Sequence, residues 1–179
     1  NPLFLHSPPG LGKTHLLHAI GNHILAKNPG LRLGYISAER FVNELVESIQ
    51  HKKQSAFRSK YRDGFDVLLV DDIQFIAGKE TTEEEFFHTF NALHSGKRQI
   101  VSTSDRPPEE IEGLEARIRT RFEWGLVVDI QPPEIETRIA ILKAKAESDD
   151  TYLPDEVATF LGTYVKDTVR NLHGALVKL

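Results

Sequence analysis

Ser7-Pro8-Pro9-Gly10-Leu11-Gly12-Lys13-Thr14 follows a short apolar run, Leu3-Phe4-Leu5, and leads into Leu16-Leu17-His18-Ala19-Ile20, which has helical spacing. A strand, a glycine-bearing loop and a helix opening on Gly-Lys-Thr form the context that a phosphate-binding P-loop requires. Glycines let backbone N–H groups turn inward on a polyphosphate, and the helix N-terminus adds partial positive charge. In that arrangement Lys13 reaches the β- and γ-phosphates of a nucleotide and the Thr14 hydroxyl holds Mg²⁺. The nucleotide-binding stretch is taken as Ser7 to Thr14 with His15. The G-x-x-x-x-G-K-[ST] pattern has one departure, Ser7 in place of the leading glycine, which works only if the backbone there keeps negative φ. The competing reading is a glycine-rich turn that merely caps a helix.

Val67-Leu68-Leu69-Val70-Asp71-Asp72 weighs against that competitor. Four apolar residues in a row suit a strand buried on both faces of a parallel sheet. Two carboxylates at its C-terminal end lie where ligands bind in open α/β sheets. Beside a P-loop this is a Walker B pattern: Asp71 orients Mg²⁺, directly or through water, and Asp72 polarises the attacking water. Without the P-loop it would read as a strand ending in a polar turn. Other candidates are less defined. Gln99 to Thr103 reads as a strand closed by Ser104-Asp105-Arg106-Pro107-Pro108. Asp105 or Ser104 there either senses a γ-phosphate or forms an Asx-type turn. Leu114 to Arg121 reads as a short helix carrying Arg117, Arg119 and Arg121, of which Arg117 and Arg121 share a face. Arginines grouped before an apolar strand, Leu126 to Ile130, suit phosphate or carboxylate recognition. Lys52, Lys53, Arg58, Lys60 and Arg62 make the most basic stretch, either a solvated helix face or a nucleic-acid contact.

The elements that must position these groups follow from periodicity. A first helix is expected from Lys13 to Lys27, ended by Asn28-Pro29-Gly30. A strand from Leu31 to Ile36 leads to Ser37 as N-cap of a helix whose apolar face is Phe41, Leu45, Val46 and Ile49. A second helical stretch runs from Ala56 to Tyr61. Thr82 is expected to cap a helix with Phe86, Phe87, Phe90 and Leu93 inward, ending near Ser95-Gly96. Gln131-Pro132-Pro133 breaks the pattern, and helices are expected at Glu134 to Ser148, Pro154 to Tyr164, and Asp167 to the end, with Arg170 and His173 on one face of the last.

Composition bounds the rest. At 179 residues the chain suits one α/β domain with a small appended subdomain. With no cysteine there is no disulfide framework or thiolate metal site. No apolar run approaches a membrane span. A net charge of −4 gives no global argument for nucleic acid, so any such contact must be local. Because it opens on Asn1 and lacks methionine, the sequence is expected to be part of a longer chain.

Taken in order, these motifs resemble the AAA+ ATPases, and within them the DnaA-type replication initiators. The strings that carry the likeness are N-P-L-F at the start, G-L-G-K-T-H-L-L-H-A-I-G-N from Gly10 and D-D-I-Q-F-I-A-G-K-E from Asp71. They continue with E-E-F-F-H-T-F-N-A-L from Glu84, S-D-R-P-P from Ser104, R-F-E-W-G-L from Arg121 and R-N-L-H-G-A-L from Arg170. The resemblance implies ATP/ADP and Mg²⁺ as ligands, with Asp105 as sensor 1 and Arg170 as sensor 2. It implies Arg121 as an arginine finger inserted into a neighbouring subunit's site, and Arg117 as a supporting interface arginine. The paired helices of residues 38–62 occupy the initiator-specific insertion that grips single-stranded DNA, where Val46 matches a contact position; Lys52 and Lys53 lie in it, and Lys79 matches a basic loop position. The family often has arginine where this chain has Thr81 and glutamate where it has His173, and AAA+ proteins at large have Glu more often than Asp at the position of Asp72. The family's adenine-holding segment before the first strand, and its C-terminal helix-turn-helix domain that reads origin duplex DNA, fall outside the sequence.

The expected architecture is therefore an α/β P-loop NTPase of the AAA+ type, a three-layer sandwich on a parallel sheet. Residues 1–131 form the nucleotide-binding core and residues 132–179 a helical lid. The expected function is an ATP-gated oligomerising module of a bacterial cytoplasmic, nucleoid-associated initiator with slow hydrolysis. It would self-associate into a helical oligomer, open the origin duplex, and engage a replicative helicase or its loader. The rival is a helicase-loader-type (DnaC-like) or remodelling ATPase.

Overall fold

A computed structural model describes residues 2–166 and 168–177. The chain divides into two compact units, one comprising Asn1–Ser7 with Lys13–Asp129, the other Pro8–Gly12 with Ile130–Leu179.

The first unit is built on β1 (Leu3–His6), β2 (Leu33–Ser37), β3 (Val67–Asp71), β4 (Gln99–Ser104) and β5 (Leu126–Asp129). They form one sheet in the order β2-β3-β4-β1-β5, with every pairing parallel. Helix α1 (Lys13–Lys27) joins β1 to β2, and α2 (Ala38–Gln50) and α3 (Gln54–Asp63) join β2 to β3. A 3-10 turn (Ile73–Ile76) and α4 (Glu80–Ser95) lead to β4, and α5 (Ala116–Glu123) leads to β5.

Strand side chains alternate between two faces, and the register assigns each face its cover. Phe4, Ile36, Leu68, Val70 and Ile100 point into a core with Phe41 of α2, Phe57 and Tyr61 of α3, Phe86 and Phe90 of α4, and Phe122 of α5. Phe41 lies edge-on to Phe57, Tyr61 and Phe86 at centroid distances of 5.1, 5.0 and 5.8 Å. Burying a side chain of that size contributes about 1.5–3 kcal/mol. The opposite face carries Leu33, Tyr35, Leu69 and Asp71 and is covered by α1, where Gly21 lets the helix approach: a Cβ there would lie 2.9 Å from Leu69 Cδ1. β3, central enough to be covered on both sides, is buried at all its positions.

Ser37 caps α2 as expected, its hydroxyl accepting the Arg40 N–H at 3.2 Å. Several boundaries and faces differ from expectation. β2 begins at Leu33 rather than Leu31, because the Leu31 N–H is drawn into the preceding turn by the Asn28 carbonyl. Thr82 does not cap α4; it is buried inside the helix, which starts at Glu80, because the Lys79 carbonyl already accepts the Thr82 and Glu83 N–H groups. α5 starts at Ala116 rather than Leu114, whose N–H closes a turn onto Ile111. On α2, the buried stripe is Ala38, Phe41, Leu45 and Ser48, while Val46 and Ile49 are 44% and 42% exposed. Ser48 takes the inner position because its hydroxyl is satisfied by the Leu45 carbonyl at 2.7 Å. β5 is an edge strand with Leu126 exposed.

In the second unit, α6 (Ile135–Ser148), α7 (Asp155–Tyr164) and α8 (Val169–Leu176) close over Leu142, Ala146, Leu161, Leu172 and Leu176. Thr168 caps α8 through the Asn171 N–H at 3.1 Å; Asp167, where that helix was expected to begin, lies outside the described residues.

Candidate nucleotide-binding site

Between β1 and α1 the chain must reverse in six residues, and two glycines make this possible. Gly10 and Gly12 have φ of +89° and +93°, the left-handed region that side-chain-bearing residues avoid. Ser7 is not among the residues with positive φ, which meets the condition on its replacing glycine. It is fully buried, and its N–H donates to the Ser104 carbonyl at 3.3 Å, tying the end of β1 to the end of β4. The buried Lys13 ammonium donates to the Ser7 carbonyl at 2.7 Å and lies 3.4 Å from its hydroxyl. The serine thus supplies an acceptor that glycine would lack. Thr14 and His15 are exposed on the first turn of α1, while Leu11 is buried.

Pro8–Gly12 belong to the second unit, and two contacts within it bear on them. The Arg170 N–H donates to the Gly10 carbonyl at 3.2 Å. A Cβ on Gly10 would lie 3.0 Å from Thr168 Cβ, so a side chain there would crowd Thr168 as well as strain the positive φ. The Arg170 and His173 side chains lie on α8.

The two aspartates at the end of β3 occupy different settings. Asp71 is buried on the α1 face, and each carboxylate oxygen meets a hydroxyl: Thr103 of β4 donates to Oδ1 and Tyr35 of β2 donates to Oδ2 at 3.2 Å. Thr103 Oγ1 also accepts the Asp72 N–H at 2.9 Å, which directs its own proton towards Asp71. Burial, reinforced by the Asp71 charge, pushes the Tyr35 hydroxyl up to about 12, so it stays a donor. Asp72 has left-handed backbone, φ 55° and ψ 54°, a conformation that aspartate tolerates better than most residues. Its half-buried carboxylate accepts from Gln74 Nε2 at 3.2 Å. Ser104 behaves as a turn-former, its hydroxyl accepting the Arg106 N–H at 3.3 Å. Asp105 is half-buried, with Oδ1 3.4 Å from Arg106 Nε but outside hydrogen-bonding geometry.

Sequence reasoning missed Thr103 and Tyr35. The signal for Thr103 was three hydroxyl residues, Ser102-Thr103-Ser104, closing a buried strand; nothing local to Tyr35 distinguished it from a packing aromatic.

On α5, Arg117 and Arg121 share a face, both over the Phe87 ring at 4.7 and 5.3 Å. Arg121 also stacks on Trp124 at 3.8 Å. Arg117 pairs with Glu115, whereas Arg121 makes no ion pair among the described residues and its Nε is buried without a hydrogen-bond partner. Arg119 turns away, donating to the Leu114 carbonyl at 3.2 Å.

The basic stretch is largely neutralised from within. Arg58 and Arg62 converge on the buried Glu85 of α4, and Lys60 and the Tyr61 hydroxyl converge on Glu44 of α2, Lys60 at 2.5 Å. Lys52 and Lys53, at the exposed turn between α2 and α3, have no carboxylate partner among the described residues. Val46 lies exposed on α2, and the exposed Lys79 donates to the Phe75 carbonyl.

A glycine-turned lysine loop, a two-aspartate strand end and an arginine helix after β4 invite comparison with known proteins. The family model of the bacterial DnaA ATPase domain matches residues 1–129. The chain is 56% identical over its full length to a chromosomal replication initiator protein DnaA from Citrifermentans bemidjiense, covering 39% of that protein. It is similar in structure to domain III of the Thermotoga maritima replication initiation protein DnaA, at a TM-score of 0.96 and 46% identity, covering all of this chain and 75% of that one. It is also similar to a replication initiator DnaA bound to AMPPCP and single-stranded DNA, at a TM-score of 0.87 and 39% identity, covering 99% of this chain and 54% of that one. The chain thus spans about two fifths of the curated relative's length. Matched by that family model over residues 1–129, and 56% identical to a curated member over its full length, the chain belongs to the bacterial DnaA ATPase-domain family.

Proposed function

We propose that this chain is the ATP-binding, ATP-gated oligomerising module of a DNA replication initiator, which assembles at a chromosomal origin and promotes duplex opening while hydrolysing ATP slowly. The observation that carries this reading is the Lys13 ammonium buried against the Ser7 carbonyl, with Asp71 buried on the α1 face of the same sheet. The relative carrying AMPPCP and single-stranded DNA supports the same ligands here.

In this reading the backbone N–H groups of Gly10–Thr14 cradle the phosphates, with Ser7, Pro8 and Pro9 shaping the loop and His15 beside it. Lys13 exchanges the Ser7 carbonyl for phosphate oxygens. An all-oxygen donor set, the Thr14 hydroxyl and the Asp71 carboxylate, suits Mg²⁺, which takes few protein ligands and keeps water and phosphate for the rest. Among the described residues no denser cluster of His, Asp or Glu competes for a metal. When bound, Mg²⁺ neutralises charge on the β- and γ-oxygens. Asp72 polarises the attacking water, and Asp105 and Arg170 report the γ-phosphate. Arg121 serves a neighbouring subunit's nucleotide, supported by Arg117 at the interface. A guanidinium supplied in trans makes assembly depend on the triphosphate.

The insertion of residues 38–62 grips single-stranded DNA through Val46, Lys52 and Lys53, joined by Lys79. Residues 132–179 act as the helical lid. Origin duplex is read by a C-terminal domain beyond this sequence, and a replicative helicase or its loader is the downstream partner in a bacterial cytoplasm. Among the described residues no helix is long and apolar enough to cross a membrane.

Steady-state hydrolysis, with and without single-stranded DNA, tests the reading. A switch turns over orders of magnitude below the roughly 10 s⁻¹ typical of enzymes. Turnover at enzyme-like rates would replace it with a remodelling motor.

A further inference from the structure

We propose that Tyr35 is a positioning residue for the metal-side carboxylate, its hydroxyl fixing Asp71 in the orientation that serves the nucleotide's Mg²⁺. The inference rests on the reading of Asp71 given above and adds to it a residue on a different strand.

Tyr35 pairs with Leu69 and Ser37 pairs with Asp71, so Tyr35 and Asp71 are diagonal neighbours on one face, within reach of a long side chain. The Tyr35 ring lies against the His18 ring of α1, at a centroid distance of 4.3 Å and a tilt of 38°. It therefore bridges the helix that opens on Lys13 and Thr14 to the strand that ends in Asp71. Its hydroxyl reaches Asp71 Oδ2 while Thr103 holds Oδ1, so β2 and β4 grip the carboxylate from opposite sides. Rotating the carboxylate breaks both bonds at once.

The two bonds are unequal. Thr103 sits in the sheet interior, whereas Tyr35 is 41% exposed on an edge strand and its 3.2 Å bond is long for O–H···O. The Tyr35 contact is the adjustable one, able to tighten or yield as Asp71 takes up a metal-bound water. A purely packing role needs only the ring, so the hydroxyl separates the two explanations.

The test is an equilibrium titration of a fluorescent ATP analogue into the wild type, Tyr35→Phe and Asp71→Asn, each with saturating Mg²⁺ and with EDTA. The fold by which Mg²⁺ strengthens binding is the readout. Tyr35→Phe should match the wild type in EDTA and lose about three- to tenfold of the Mg²⁺-dependent gain, as expected for losing a long hydrogen bond to a charged, partly solvated group. Asp71→Asn should lose most of that gain. If Asp71→Asn loses it and Tyr35→Phe keeps it in full, the hydroxyl does not position Asp71 and the proposal is overturned. Equal weakening of Tyr35→Phe in EDTA and in Mg²⁺ would assign the residue to packing and overturn it too. If Asp71→Asn itself keeps the full gain, the metal-side reading of Asp71 falls, and this proposal with it.

Discussion

Replacing Thr103 with valine removes one hydroxyl, keeps the β-branched shape that suits a strand, and separates what the hydroxyl does from what the side chain fills. Thr103 is fully buried, and its oxygen makes two bonds: it donates to Asp71 Oδ1 and accepts the Asp72 N–H at 2.9 Å. A hydrogen bond to a charged group is worth about 1.5–3 kcal/mol and a neutral one about 0.5–1.5 kcal/mol. Asp71 retains the Tyr35 hydroxyl, so the charged loss is discounted to the low end. The sum is about 2–3 kcal/mol of folding stability. For a chain of this size each kcal/mol moves the midpoint by about 2–4 °C, so Thr103→Val should melt roughly 4–12 °C lower. Thr103→Ser, which keeps the oxygen, should recover most of the loss. The assay is urea and thermal unfolding followed by circular dichroism, with ATP binding measured alongside. A Thr103→Val protein as stable as the wild type would refute the reasoning, because it would mean that neither bond contributes in the folded state.

Four further outcomes follow from the same structure. Asp72→Asn should retain ATP binding and slow hydrolysis; loss of binding, with Asp71→Asn the milder variant in the same assays, would mean the two roles are reversed. Neutralising Lys52 and Lys53 together should weaken single-stranded DNA binding and reduce the slope of log K against log salt by up to about 1.4. Neutralising Arg58 and Lys60 should instead lower stability, since both are engaged with Glu85 and Glu44; filter binding across a salt series and urea unfolding separate the two pairs. Although partial burial opposes it, Lys60, Tyr61 and Arg40 hold the Glu44 carboxyl below its usual range. Its folded-state value being depressed, its contribution is present above the unfolded value, about 4.3, and is lost as pH falls through the folded one. Glu44→Gln should therefore show a shallower loss of stability below about pH 4, and an unchanged acid limb would count against the ion-pair cluster.

Much of this architecture is legible in the sequence where one physical demand acts locally. A strand covered on both sides needs an unbroken apolar run, and Val67–Val70 supplies one. A loop that reverses with left-handed backbone needs glycine, and Gly10 and Gly12 have it. Ser37 caps because a hydroxyl before a helix has one available N–H to accept.

The parts that were not legible depend on register across distant segments. Nothing near Tyr35 or Thr103 says that both hydroxyls reach Asp71, because that follows from β2, β3 and β4 lying side by side. The basic appearance of residues 52–62 hides its pairing with Glu44, 16 positions from Lys60, and with Glu85, 27 from Arg58. Val46 and Ile49 fall at helical spacing with Phe41, yet the sheet covers a stripe too narrow to include them.

Assembly by an Arg121→Ala protein tests the ATP-gated account most directly. Arg121 lies over Phe87 and Trp124 and pairs with no carboxylate among the described residues, so removing it breaks no ion pair there. The measurement is ATP affinity of the monomer alongside ATP-dependent oligomer formation on DNA, with Lys13→Ala as the ATP-binding-defective counterpart. The account predicts near-normal ATP affinity for Arg121→Ala and no ATP-dependent oligomer, while Lys13→Ala loses both. An Arg121→Ala monomer that loses ATP affinity would place the residue at its own subunit's nucleotide and contradict assembly gated by an arginine supplied in trans.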